Sequence, residues 1–149
     1  MRTVYIFAMM LVFLNTPAIA SQSMPERVLC MALNIYHEAR NQSLLGQVAV
    51  ANVTLNRVRS EKFPDTICEV VYQKHQFSWY WDGKSDQPIE KEAWETAKLV
   101  ARAVLSKESA IADNTNGALF YHANYVRPHW SFVFRRVREI EKHIFYASN

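Results

Sequence analysis

The chain has 149 residues, half of them hydrophobic, with three glycines, two cysteines and a formal net charge of +3. That is enough apolar material for one core of ordinary size, and no second domain is needed to account for it. So mild a charge, with no basic stripe interleaved with aromatics, excludes a dedicated nucleic-acid binder, and so few glycines leave no phosphate or dinucleotide loop.

In chain order, Arg2, the unbroken apolar run Val4–Leu14 and the small-residue site Pro17-Ala18-Ile19-Ala20 have the form of an export signal over residues 1–20, cleaved to leave Ser21 first. The run is too short to span a bilayer, and Asn15, Thr16 and Pro17 interrupt it. Cys30, preceded by Arg27-Val28-Leu29, lacks the small residues of a lipid-attachment site. The reading is therefore a soluble mature chain over 21–149, exported to the periplasm or the cell exterior, with no stable membrane insertion and acting as a monomer; a membrane anchor is the alternative. Cleavage removes Arg2 and no acid, so a net charge of +3 becomes +2. Two cysteines in an exported chain suit one disulfide, Cys30 to Cys68, worth roughly 4 kcal/mol on the chain-entropy model; two buried free thiols are the alternative. Neither cysteine has the His or Asn spacing of a thiol protease.

Ser23-Met24-Pro25-Glu26 reads as a capping box opening a first helix. Val28, Leu29, Ala32, Ile35, Tyr36 and Ala39 recur at helical spacing on its buried face, and Glu38 stands at the edge of that face. Asn41-Gln42-Ser43 breaks the pattern, and a second helix follows from Leu44 to Arg59, with Gly46 where another backbone approaches. Asp65 caps a short third helix carrying Ile67, Val70 and Val71. The stretch His75 to Gly83 mixes aromatic with amide and hydroxyl groups and has no period of either kind. Such a mixture suits a sugar groove, where pyranose faces stack on rings and hydroxyls need hydrogen bonds, and it equally suits a loop covering the core. Pro88 opens a long helix with Ala93, Trp94, Ala97, Val100, Ala101, Val104 and Leu105 inward, read as the central buried helix. After the loop Asp113 to Gly117, Leu119–His122 and Glu141–Ala147 are predicted strands that pair, with a helix over 130–138 between them, so that Arg135-Arg136-Val137-Arg138 becomes a solvated helix face. The sum is a mainly helical α+β domain with a small antiparallel sheet near the C-terminus.

Glu38 is the candidate catalytic residue. A carboxyl set between apolar surfaces is partly desolvated, which raises its pKa and lets it hold a proton near neutrality, as cleavage of a glycosidic bond requires. The plainer reading is a solvated helix-end acid paired with Arg40. His37-Glu38 is not a zinc motif, because H-E-x-x-H needs a second histidine where Asn41 stands, and the remaining histidines are scattered. No metal and no cofactor is expected. A two-carboxylate mechanism needs a second acid roughly 5–9 Å from the first; of the loop acids Asp82 is the best placed, and Asp82-Gly83 reads equally well as a turn.

A set of ordered pieces resembles the SleB-type cell-wall hydrolases, a bacterial and phage family that cleaves peptidoglycan: A-L-N-I-Y-H-E-A-R (32–40), G-Q-V-A-V-A-N-V-T-L-N-R-V (46–58), F-P-D-T-I-C (63–68), Q-F-S-W (76–79), D-G-K-S-D (82–86), G-A-L-F-Y-H (117–122) and H-I-F-Y (143–146). The resemblance implies a lysozyme-like, lytic-transglycosylase-like fold with Glu38 catalytic. It places Gln76, Phe77, Ser78 and Trp79 in the glycan groove with Tyr121 and His122 nearby, and peptidoglycan strands as the partner. Two departures stand out. His75 and Trp81 occupy positions where members from Gram-negative bacteria often carry cysteines, and Asn41-Gln42-Ser43 replaces a frequent Gly-Glu-Pro at one rim of the cleft. The expected reaction is lytic transglycosylation with a single acid and base. Water-dependent muramidase hydrolysis assisted by Asp82 is one alternative, and a wall-binding module without activity is another.

Overall fold

The computed structural model describes residues 23–106 and 111–148; the export signal and its cleavage site lie outside them. Five helices come first: α1 (Glu26–Ala39), α2 (Leu44–Val58), α3 (Ile67–Tyr72), α4 (Ser78–Trp81) and α5 (Lys91–Leu105). A three-stranded antiparallel sheet follows, from β1 (Phe120–Ala123), β2 (Arg135–Ile140) and β3 (His143–Ala147), in the order β1-β3-β2. The fold is α+β, mainly helical, with its small sheet near the C-terminus.

The centre of the helical layer is α1. Met31, Ala32 and Ile35 are fully buried, and the helix packs on α2, α3 and α5 together. The amphipathic α5 buries Ala97, Val100, Ala101 and Val104 but leaves Leu99 64% exposed, so it covers α1 rather than forming the centre expected of it. A disulfide joins Cys30 in α1 to Cys68 in α3 across a sequence separation of 38.

Several boundaries differ from the sequence expectation, each for a local reason. Pro25, not Ser23, caps α1: its carbonyl takes the amides of Val28 and Leu29 at 2.9 and 3.1 Å, which leaves the serine two positions too early. In α3, Thr66 takes the capping role assigned to Asp65, accepting from the Glu69 amide and donating to its carboxylate. Pro88-Ile89-Glu90 does not enter α5. The Tyr36 hydroxyl accepts from the amides of Ile89 and Glu90, both at 3.1 Å, and this holds the strip out until Lys91. The aromatic stretch expected to lack regular structure contains one turn of helix, α4. A Cβ at Gly46 would lie 2.8 Å from the Gln42 Cβ and 3.1 Å from a Glu141 carboxylate oxygen, so the close neighbours there are side chains rather than a backbone.

The largest difference is β2. The expected helix over 130–138 is reduced to a 3-10 turn, His129–Phe132, and the arginine-rich stretch is an edge strand paired with β3. Reversal at Glu141 and Lys142, with Glu141 at φ +50°, brings 135–140 alongside β3, and the pairing overrides local preference. Exposed arginines and a register irregularity between Arg136 and Arg138 suit an edge that must not recruit another strand. Ala49 and Val53 of α2 pack with Ala118, Ile140 and Phe145, which docks the sheet onto the helices. That contact carries β1 to the end of α1.

Candidate active site

Glu38 occupies the last turn of α1, where the helix face turns from core to cleft. Its Oε2 accepts a hydrogen bond of 3.0 Å from the Tyr121 hydroxyl, delivered by β1 from 83 residues away. Burial raises the Glu38 pKa above 4.5, and neither the Tyr121 hydrogen bond nor the charge of Arg57 cancels the rise. Tyr121 is pushed well above 10.0 by burial and by the neighbouring carboxylate, so its phenol stays a donor.

Arg57 lies beneath the pair, 4% exposed. Its Nε donates to the Leu119 carbonyl at 2.8 Å, and its guanidinium sits 5.2 and 5.3 Å from the ring centres of Phe63 and Phe77. A buried cation held this way supplies a fixed positive field without contacting solvent. Sequence reading missed Arg57 as a site residue. The signal was present: Val50, Thr54 and Arg57 share one face at i, i+4, i+7, which puts an arginine in phase with buried positions.

Two hollows meet at Glu38, the one residue common to their linings. On one side Gln76, Phe77, Ser78 and Trp81, with His75, enclose about 440 Å³. On the other, His37, Arg40, Lys142 and His143 help enclose about 230 Å³. Gln76, Phe77 and Ser78 thus line one hollow with the acid, and Trp81 joins them. Trp79 does not. It is buried and stacks on His37 at 4.4 Å, facing a third hollow of about 320 Å³ that shares His37 and Arg40 with the second but is not lined by Glu38. Asp82 lines that third hollow; its Oδ1 accepts from the Lys84 amide at 2.9 Å, and this bond holds its pKa below 3.8. His122 is turned away from the cleft. Strand alternation sends it opposite to Tyr121, where its ring nitrogens meet the Ala123 carbonyl and the Tyr146 hydroxyl. His143, absent from the expected set, packs edge-on against Tyr121 with ring centres 5.2 Å apart.

The arrangement is one partly desolvated acid, oriented by a phenol, at the junction of two open hollows lined by rings and polar groups. Residues 41–146 match the family described as Cell Wall Hydrolase. The chain belongs to the cell wall hydrolase family. The matched interval begins three residues after Glu38, so the assignment of that acid rests on the geometry above. The chain is 35% identical over 115 residues to a spore cortex-lytic enzyme of Bacillus cereus, an alignment covering 77% of the chain and 42% of that protein. The spore cortex-lytic enzyme of Bacillus subtilis is 30% identical, with 35% of its length covered. The chain therefore spans about two-fifths or less of these curated relatives. Among solved structures, the catalytic domain of the germination-specific lytic transglycosylase SleB from Bacillus anthracis superposes with a TM-score of 0.68 at 30% identity, covering 87% of this chain and all of that one. The catalytic domain of the Bacillus cereus SleB protein gives a TM-score of 0.63, also at 30% identity, with 81% of this chain and 89% of that one covered.

Among the described residues, no group of three His, Cys, Asp or Glu side chains is arranged to hold a metal ion. No described helix is long and apolar enough to cross a membrane.

Proposed function

We propose that this member of the family cleaves peptidoglycan glycan strands at the β-1,4 bond between N-acetylmuramic acid and N-acetylglucosamine, by lytic transglycosylation, with Glu38 as both acid and base. The observation that carries the reading is the isolation of Glu38: among the described residues lining the two hollows it is the only carboxyl group. Its raised pKa supplies the proton. Tyr121 occupies Oε2, which leaves the transferable proton to Oε1.

In the first half of the reaction Glu38 protonates the glycosidic oxygen, the bond from the muramoyl C1 breaks, and the electron pair leaves with the N-acetylglucosamine O4. Glu38, now a carboxylate beside the Arg57 field, takes the proton of the muramoyl C6 hydroxyl as that oxygen bonds to C1. The acid is regenerated, a 1,6-anhydro end is formed, and no water is consumed. A nucleophile supplied by the substrate makes a second carboxylate unnecessary. Gln76 and Ser78 offer hydrogen bonds to the sugar, and Phe77 and Trp81 bound it on the same side. The water-dependent alternative asks Asp82 to act as base, from a hollow that Glu38 does not line. The substrate lies outside the cytoplasmic membrane, which is consistent with the export signal read over residues 1–20.

Mass spectrometry of a digest of purified sacculi tests the proposal. Anhydro-muramoyl ends that vanish with Glu38→Gln support it; reducing ends would establish hydrolysis instead, and sacculus binding without any released muropeptide would leave a wall-binding module.

A further inference from the structure

The two hollows meeting at Glu38 differ in charge. The one formed with Gln76, Ser78 and Trp81 has no lysine, no arginine and no carboxylate other than Glu38 among its described lining residues. The other brings in Arg40 and Lys142 together with the imidazoles of His37 and His143, again with Glu38 as the only acid. Arg40 is partly neutralised, since its Nε donates to Glu90 at 2.8 Å. Lys142 forms no salt bridge among the described residues.

The turn that carries Lys142 is held by specific contacts. Glu141 is in the left-handed region at φ +50°, a conformation unfavourable for a non-glycine residue. What offsets that cost is its carboxylate, which accepts from the Ser43 amide at 3.0 Å at the N-terminus of α2. The nearest acid in sequence is thereby directed to α2 instead of forming a salt bridge with Lys142. The Asn124 amide donates to the Lys142 carbonyl at 2.7 Å and ties the turn to the end of β1. Lys142 itself is exposed and lines the hollow beside Glu38.

Of the two sugars in the strand only the muramoyl residue bears an acid, on its O3 arm. We propose that the Arg40–Lys142 hollow is an anion-selecting subsite that seats the muramoyl residue through a carboxylate of that arm, lactyl or stem-peptide, leaving the neutral N-acetylglucosamine to the Gln76–Trp81 hollow. This rests on the glycan-cleaving reading above. Its consequence is a defined strand polarity: the muramoyl C6 hydroxyl approaches Glu38 from the Lys142 side, where the anhydro ring closes.

The test compares three substrates: stem-bearing strands, strands stripped of stems by an amidase so that each muramoyl residue ends in a free lactyl carboxylate, and stripped strands whose carboxylates have been converted to methyl amides. Wild-type protein should show a KM about tenfold lower for stripped strands than for their methyl amides at low salt, the worth of one charge-assisted contact. Lys142→Gln should abolish that difference by raising KM on the acidic strands alone, with kcat unchanged, whereas Trp81→Ala should raise KM on charged and neutral strands alike. An effect of Lys142→Gln confined to stem-bearing strands assigns the carboxylate to the stem; an equal effect on the methyl amides, or no wild-type preference for either acidic strand, overturns the subsite. Sedimentation of the same strands with Glu38→Gln protein reads the charge preference without turnover, so failure of the catalytic reading and failure of the subsite give different results.

Discussion

At the scale of single residues the site turns on a proton that the fold helps Glu38 to keep. Burial raises its pKa above 4.5 in the folded state. Below 4.5 the carboxyl is protonated whether the chain is folded or not, and it makes no difference to stability. As pH rises, the unfolded chain releases its proton first, so the native state loses stability until its own pKa is passed. Glu38→Gln keeps an acceptor for Tyr121 and removes that penalty. The variant should be more heat-stable than wild type at pH 7 and equal to it at pH 4, as thermal melts at the two pH values will show, while its activity on sacculi falls by about 10²–10⁴-fold. Tyr121 acts in the opposite sense, since its hydrogen bond lowers the Glu38 pKa. Tyr121→Phe should therefore move the alkaline limb of the kcat/KM profile to higher pH, because that limb reports loss of the acid's proton; an unmoved limb would mean the hydrogen bond does not tune Glu38.

At the scale of elements, α2 is the frame to which the loop before β1 is fixed. Asn56 Nδ2 lies 3.0 Å from Asp113 Oδ2, and 3.3 and 3.2 Å from Thr115 Oγ1 and the Ala118 carbonyl. Burial alone would raise the Asp113 pKa, but bonds from Thr115, Asn56 and Gly117 outweigh it and hold the group below 3.8. A depressed carboxylate contributes stability above its unfolded pKa and loses it as pH falls through the folded value. Asp113→Asn would set an amide donor against the donors of Gly117 or Asn56. It should cost about 1–2 kcal/mol at pH 7 in urea titrations, with the gap to wild type closing as pH drops below 3.8. Because this loop leads into β1, the same substitution should also weaken activity through misplacement of Tyr121.

At the scale of the whole molecule, the Cys30–Cys68 bridge and the α2–sheet contact hold the two halves of the cleft to one centre, α1. Reduction of the bridge, or its replacement by alanines, should lower unfolding free energy by about 4 kcal/mol, read as a lower denaturant midpoint with a steeper slope, because the unfolded chain freed of its cross-link exposes more surface. Much of this architecture is legible in the amino-acid order. The buried faces of α1, α2 and α5, the strands β1 and β3, and the position of Glu38 at the end of an apolar helix all follow from patterns within a few residues. What the order of residues could not convey is long-range. That 135–140 is a strand depends on pairing with β3; that Tyr36 delays α5 depends on a hydroxyl 53 residues away. Trp79 and His122 lie beside residues that do reach the cleft, yet local packing turns both away from it. The sequence by itself marked Glu38 as the candidate acid, because helix period and apolar flanks are local properties, and the ordered motifs around it favoured that reading over a solvated ion pair. Only the tertiary structure decided its surroundings: Arg57 reaches Glu38 through the packing of α2 on α1, and Tyr121 and the Lys142 turn, distant along the chain, arrive with the sheet that docks on α2.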